Sequence, residues 1–308
     1  MYTLDKKQIR SIIELVQKFP TEDECYELLE KIHWNGKVVS PYDKNSKVYK
    51  CKDHKYRCKK TGKYFNVKTN TLFESSKIKL QLWFFAIWLI TSHKKGISSL
   101  QLSKDICVTQ KTAWFMLQRI RRCFKFQNNN ILDNDVEIDE TYIGGKNRNK
   151  HTKNRMKNSQ GRSTKNKVPV LGMVERNGKL NAIIVPNTQS EILTKEILNN
   201  VKYSANVYTD EWLGYKNMSK YYKHFIVNHG KREFVNENAY TNTLECIWGI
   251  IKRGILGIYH FTSKKHLQIY LDEFVFRYNT RHMTEQDRFE NFLSNINTRT
   301  KYRELIHA

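Results

Sequence analysis

Three carboxylates stand where a fold could gather them. Asp139 lies in the run Val-Glu-Ile-Asp-Glu-Thr-Tyr-Ile-Gly-Gly, Asp210 in Val-Tyr-Thr-Asp-Glu-Trp, and Glu245 in Thr-Asn-Thr-Leu-Glu-Cys-Ile-Trp. The first two runs read as strands and the third as a helix. One carboxylate on each of two neighbouring strands and one on a flanking helix can hold two divalent ions about 4 Å apart, an arrangement able to break and join phosphodiester bonds. Hard oxygen donors suit Mg²⁺ or Mn²⁺ and do not favour zinc. The chain has 30 Asp and Glu, so some triple at permissive spacing would arise by chance, and ordinary surface carboxylates are the competing explanation. Strand alternation puts Glu140 on the face opposite Asp139, with Val136 and Ile138, but leaves Glu137 on the same face as a rival. Glu211 is the rival to Asp210.

Cations and amides accompany these acids. Lys252 follows Glu245 by two helical turns and shares its face, where it could grip a phosphate or, beside Arg253, be a solvated lysine. Asn242 precedes Glu245 by about one turn on that face and could orient a ligand or serve as one. From Lys146 to Lys167 the chain is dense in Lys and Arg, among them Lys146, Arg148 and Lys150, and has no acid. That loop could close on bound DNA through salt-sensitive phosphate contacts, or simply be solvated.

These residues need elements to position them. Apolar spacing predicts a helix from Leu4 to Phe19, ended by Pro20, and a second starting at Thr21 with Glu24 as capping-box partner. A turn-rich β stretch spans 36–73, and Leu80 to Ser92 reads as a helix buried nearly all round. Gly96 to Arg122 has the outline of a helix-turn-helix, with Thr109 as N-cap of its second helix. Gln110, Lys111 and Thr112 would face a major groove, and Arg119 and its basic neighbours tip the reading toward DNA over a plain helical hairpin. After 130 the texture turns to β: strands at 135–143, 168–176 and 180–185, the latter two joined by an Asn177-Gly178 hairpin signal. A helix at 189–201, strands ending at Asp210 and Val227, and helices at 243–254 and 263–281 follow. The order β-β-β-α-β-α-β-α is that of an α/β, ribonuclease H-like core: a mixed sheet flanked by helices.

The whole chain agrees with a polyanionic partner. Lys and Arg number 54 against 30 acids, a formal charge of +24. Nucleic acid is the commonest partner for such a surface, although AT-rich codon bias also inflates Lys and Asn. The 17 Tyr, 15 Phe and 6 Trp argue against a disordered basic tail. No run approaches the roughly 18 apolar residues of a membrane span, and the first ten residues lack the apolar stretch of a secretory signal, so no membrane partner is expected. The 6 scattered cysteines read as reduced thiols. The expected setting is the cytoplasm, nucleoid-associated, or a nucleus.

At these motifs the sequence resembles insertion-sequence transposases of the ISXO-like DDE group, relatives of the Merlin elements. Ile-Asp-Glu-Thr-Tyr-Ile-Gly-Gly-Lys, Val-Tyr-Thr-Asp-Glu-Trp-Leu-Gly-Tyr, Val-Asn-His-Gly and Thr-Asn-Thr-Leu-Glu-Cys-Ile-Trp-Gly-Ile-Ile-Lys-Arg carry the likeness. Lys-Thr-Ala-Trp-Phe-Met-Leu-Gln-Arg-Ile-Arg and the run from Tyr259 to Arg281 add to it, over about residues 20 to 285. The resemblance implies Asp139, Asp210 and Glu245 as Mg²⁺ or Mn²⁺ ligands, and favours Asp139 over Glu137. It keeps Asn242 as the alternative third ligand, since some members use Asn there. It implies an enzyme that binds the terminal inverted repeats of its element, cleaves double-stranded DNA and joins the 3′-hydroxyl to target DNA. Pairing two ends would take a homodimer or a higher assembly. The rivals are a catalytically inactive transposase-derived DNA-binding protein and a different nuclease of the same fold, such as a junction resolvase.

One departure is visible. Family members carry a zinc ribbon of two Cys-x-x-Cys pairs, whereas here those positions hold Ser40 and Asp43, then Cys58 and Thr61. The expectation is a ribbon-like module without zinc, held by Trp34, Tyr42, Tyr56, Tyr64 and Phe65. The expected domains are N-terminal helices (1–35), this module (36–75), the helix-turn-helix region (76–127), the catalytic domain (131–285) and a C-terminal tail (286–308).

Overall fold

The computed structural model describes residues 8–144, 151–155, 166–227 and 242–306. They divide into two compact units, residues 1–123 with 282–308, and residues 124–281.

In the first unit, Ser11 caps α1 (Ile12–Lys18) by accepting from the Glu14 N–H. Glu14 in turn accepts from the Arg10 N–H at 2.6 Å; among the described residues this helix begins at Ile12, and the expected start at Leu4 lies outside them. Thr21 and Glu24 form the capping box that starts α2 (Glu22–Trp34). Strands β1 (Val48–Lys50), β2 (Tyr56–Cys58) and β3 (Tyr64–Phe65) make an antiparallel sheet in that order. Its core is aromatic: Trp34 meets Tyr56 edge-on at 5.0 Å between ring centroids, and Tyr56 stacks on Phe65 at 5.9 Å. Helix α3 (Leu80–Ser92) buries Leu80, Trp83, Phe84, Ile87, Trp88 and Ile90. A turn at Cys107, whose φ is +53°, joins α4 (Ser99–Asp105) to α5 (Gln110–Cys123).

The second unit is built on a five-stranded mixed sheet. Strand β4 (Asp135–Gly144) is central, β5 (Lys167–Glu175) and β6 (Leu180–Ile184) follow antiparallel, and the Asn177 turn at φ +59° joins the latter two. After α6 (Ser190–Asn200), strands β7 (Asn206–Asp210) and β8 (Lys223–Val227) run parallel to β4, giving the order β6-β5-β4-β7-β8. The link from β7 to β8 is two short 3-10 turns, at Leu213–Tyr215 and Met218–Lys220, where the sequence suggests a helix. Gly214 lies in that link, and Tyr215 and Met218 fold inward onto the sheet. Helices α7 (Asn242–Gly254) and α8 (Leu267–Asn279) complete the unit.

Alternation along β4 separates two cores. Even-numbered Val136 and Ile138 pack with Leu193 and Ile197 of α6, while odd-numbered Ile143 packs with Leu244, Trp248 and Ile251 of α7. Glu137 and Asp139 therefore face α7.

Residues expected to be a tail form α9 (Glu285–Leu293) and α10 (Tyr302–Ile306) in the first unit. Thr284 caps α9, and Phe289, Phe292 and Leu293 are fully buried, with Phe289 against Phe84 and Trp88.

Candidate active site

The register of the sheet sets the site. β4 and β7 run parallel with Glu137 opposite Tyr208. Two residues further on the same face come Asp139 and Asp210, on neighbouring strands, with Asp210 at the strand's end. Helix α7 lies across this face and carries Asn242, Glu245 and Lys252 at helical spacing. Glu211 falls one residue beyond β7 and is exposed.

Asp139 and its rival Glu137 do different work. Glu137 is wholly buried and anchors the start of α7: it accepts from the Thr243 N–H at 3.1 Å, the Leu244 N–H at 3.3 Å and the Thr243 hydroxyl at 2.9 Å. A carboxylate at a helix N-terminus is favoured by the orphan N–H groups and the dipole there. Arg176 Nε adds a fourth bond at 3.2 Å, and its guanidinium lies 4.0 Å from the Tyr208 ring centroid. Glu137 is thus committed to holding the helix that carries Glu245 in place. Glu140, on the opposite face, accepts from the buried Tyr215 hydroxyl at 2.8 Å.

Asp139 accepts from Trp248 Nε1 at 2.9 Å. Its carboxyl is pushed up from the usual 3.8 to about 6, first by burial, then by Asp210, against the Trp248 hydrogen bond, with Glu245 adding a smaller push. The three acids therefore share one electrostatic neighbourhood. They are not closed into a cage: among the described residues no three His, Cys, Asp or Glu form a group that could hold a metal ion as they stand. Asp210 accepts from the Trp212 N–H at 3.0 Å, which fixes the chain just after β7. Lys252 feels Asp139 as well; loss of water lowers its pKa, Asp139 opposes that, and Lys167 adds to it.

Sequence reasoning passed over Gly172. It pairs with Asp139 across β4 and β5, and a Cβ there would overlap the Trp248 ring and press on Leu244. The missing side chain gives the indole room to reach Asp139. A glycine inside an otherwise apolar strand run was the available signal.

The match to a known family falls in the second unit. Residues 131–279 match the family described as the ISXO2-like transposase domain. The chain is 28% identical, over 85% of its length and 92% of the relative's, to an uncharacterised protein in transposable element ISH50 of Halobacterium salinarum. It is 32% identical to an uncharacterised transposase-like protein of Haemophilus influenzae, covering 35% of this chain and 87% of that one. The chain belongs to the ISXO2-like transposase family. Two solved Mos1 complexes, a strand transfer complex and a pre-cleavage transpososome, overlay at 12% and 10% identity. They cover 71% and 94% of this chain, 79% and 97% of theirs, and their TM-scores of 0.29 and 0.26 are too low to read a shared fold.

The remaining expected positions in this family member divide three ways. Lys146, Arg148 and Lys150 lie outside the described residues. Gln110 and Lys111 are exposed at the start of α5 and Thr112 is half-buried, with the Gln110 amide donating to Ser99 Oγ at 2.8 Å. Arg253 is exposed, folded back beside Gly249. Arg119 is a correction: it is buried, its guanidinium donates to the Glu74 carbonyl at 2.7 Å, and it packs over Trp83 and Phe115. Arg121 is buried as well, and Arg122 pairs with Glu304, so this run serves the first unit's interior more than a phosphate.

In the three-stranded module, Ser40 and Cys58 are buried. Hydroxyls of Ser40, Ser46 and Thr61 hold the Cys58 thiol down to about 6, and Asp43 pairs with Lys60 at 2.8 Å. The sheet's outer face shows a row that sequence reading missed. Tyr49, Arg57 and Tyr64 stand in register across the three strands, with Arg57 at 5.8 Å from the Tyr64 ring centroid and Lys47 at 5.6 Å from that of Tyr49.

Proposed function

We propose that this protein is an active DNA transposase that cuts and joins DNA at Asp139, Asp210 and Glu245, within a ribonuclease H-like core. The observation that carries the reading is the raised carboxyl of Asp139, crowded by Asp210 and Glu245 and bonded to Trp248. Burial raises this acid first and its like-charged neighbours raise it further, a pattern that gathers at functional sites. The donors are all hard oxygens, which fit Mg²⁺ or Mn²⁺. When bound, such ions supply an activated water or 3′-hydroxyl and stabilise the leaving oxygen.

The chain's own groups do the rest. Trp248 Nε1 donates to Asp139 Oδ2 and fixes that oxygen in place. Glu137, by capping α7, sets the height at which Glu245 or Asn242 meets the two strand carboxylates. Lys252 stands in Asp139's field, where it can hold a phosphate oxygen against the acids. The strand order, three antiparallel followed by two parallel to the first, supports the ribonuclease H-like assignment. For DNA recognition the reading uses the exposed start of α5 at Gln110 and Lys111, and the Tyr49–Arg57–Tyr64 row, whose cations and rings suit a nucleic-acid strand. Two ends joined in one event call for at least two copies of the chain.

The test is strand cleavage and joining on a duplex bearing the element's own end, in Mg²⁺ or Mn²⁺. The wild type should cut and join, and Asp139→Asn, Asp210→Asn and Glu245→Gln should bind DNA without cutting. A wild type that binds but never cuts with either metal would make this a transposase-derived DNA binder.

A further inference from the structure

Where β4 ends and β5 begins, the second unit has a cavity of about 240 Å³. Ile143, Ile255, Leu256 and Phe261 supply its apolar wall, and Lys167 and Lys252 its charge. Among the described residues, none that lines it is acidic. Its volume is below the roughly 300–1,000 Å³ of pockets for drug-sized ligands, so it suits one flat ring system.

The backbone on one side of this cavity is unusual. Helix α7 runs directly into a π-helical turn at Ile255–Tyr259, a rare form that recurs at functional sites. His260 follows with φ +59° and ψ −44°, and the Phe261 N–H bonds back to the Tyr259 carbonyl at 2.6 Å. That is a γ-turn of the rarer, positive-φ kind, which costs a non-glycine residue strain. Phe261, at the end of this turn, is 72% exposed and Leu256 is 57% exposed, and both line the cavity. Lys252 belongs to both places, lining the cavity and lying in the field of Asp139.

We propose that this cavity receives one nucleobase, unstacked from the DNA strand whose phosphate lies at the carboxylates. This inference rests on the transposase reading and extends it. The base would lie against Phe261 and Leu256, and Lys252 and Lys167 would hold the phosphates on either side of it. Charge decides the occupant: an apolar slot between lysines favours a ring carried on a polyanion over a neutral apolar ligand. Holding the base outside the stack would fix which phosphodiester is presented to Asp139 and Asp210, a positioning role for Phe261.

The experiment uses the full chain and a duplex with the element's own end, carrying 2-aminopurine singly at each nucleotide flanking the cleaved bond. Ca²⁺ replaces Mg²⁺ to keep the complex uncut. With wild type, one position should change emission on binding, and Phe261→Ala should erase that change. In Mg²⁺, Phe261→Ala should slow cleavage about tenfold, within the range for loss of one base–aromatic stack, and Phe261→Trp should restore it. An abasic nucleotide at that position should make wild type and Phe261→Ala cut alike. Phe261 is exposed, so its loss should leave thermal unfolding unchanged. If wild type cuts but no position distinguishes it from Phe261→Ala, the base pocket is wrong and the transposase reading stands. If wild type never cuts, the transposase reading fails, and the 2-aminopurine signal still decides whether a base enters the cavity.

Discussion

The chain has two places where family resemblance would put a metal, and they handle charge in opposite ways. In the three-stranded module, Cys58 is surrounded by hydroxyls from Ser40, Ser46 and Thr61 that lower its pKa, while Asp43 has its own cation in Lys60. Midway along β4, beside the end of β7, burial and then Asp210 raise Asp139's pKa, and the Trp248 hydrogen bond only partly offsets them. The first place has met its needs with side chains of its own. In the second, the like charges of Asp210 and Glu245 add to the burial that raises Asp139, and the proposed divalent cation would answer that charge.

The sharpest break in this comparison comes from the acids themselves. Replacing Asp139 or Asp210 by Asn should lower strand cleavage by about a thousandfold or more, read as initial rates on end DNA, with DNA affinity retained. Glu137→Ala should act on the fold. It strips Arg176 and the start of α7 of their buried partner, and should cost about 3–5 kcal/mol in denaturant unfolding.

Gly172→Ala should fall between these two kinds of effect. The new methyl must displace Trp248, so unfolding should be easier by about 1–3 kcal/mol and cleavage slower, as Asp139 loses its indole donor. A stability gain that left cleavage untouched would remove Trp248 from the account.

Acid titration distinguishes the sites more gently. Asp139's folded pKa, about 6, lies above its ordinary 3.8, so its contribution to stability is fully present below about pH 3.8 and is lost as pH rises through about 6. Metal-free Asp139→Asn should therefore be more stable than metal-free wild type at pH 7.5, by about 1–3 kcal/mol, and the gap should shrink toward pH 4. Unfolding curves of both proteins across that range measure it. The smallest effect belongs to the module: a zinc chelator should leave its melting unchanged, and metal analysis should find no tightly bound zinc. One zinc per chain would erase the contrast between the two places.

Much of this was legible in sequence because it rests on local rules. The capping box at Thr21 and Glu24, the Asn177 hairpin and the alternation that puts Glu137 and Asp139 on one face follow from a few neighbouring residues. The role that separates Glu137 from Asp139 did not, because it depends on α7, more than 100 residues along the chain, delivering Thr243 to one and Trp248 to the other. Arg119 misled for the same reason. Its basic neighbours suggest a DNA face, yet tertiary packing turns it onto Trp83 and the Glu74 carbonyl. Helix α9 was missed although Thr284 and the Phe289, Phe292 and Leu293 spacing announce it, since a short segment near a chain end reads easily as a tail.

The most direct test is Mn²⁺ uptake, followed by the loss of the free-ion EPR signal, with end DNA bound. Wild type and Glu137→Gln should take up Mn²⁺ saturably, and Asp139→Asn and Asp210→Asn should lose most of that uptake. Equal uptake by all four proteins would contradict the placing of the metal at Asp139 and Asp210.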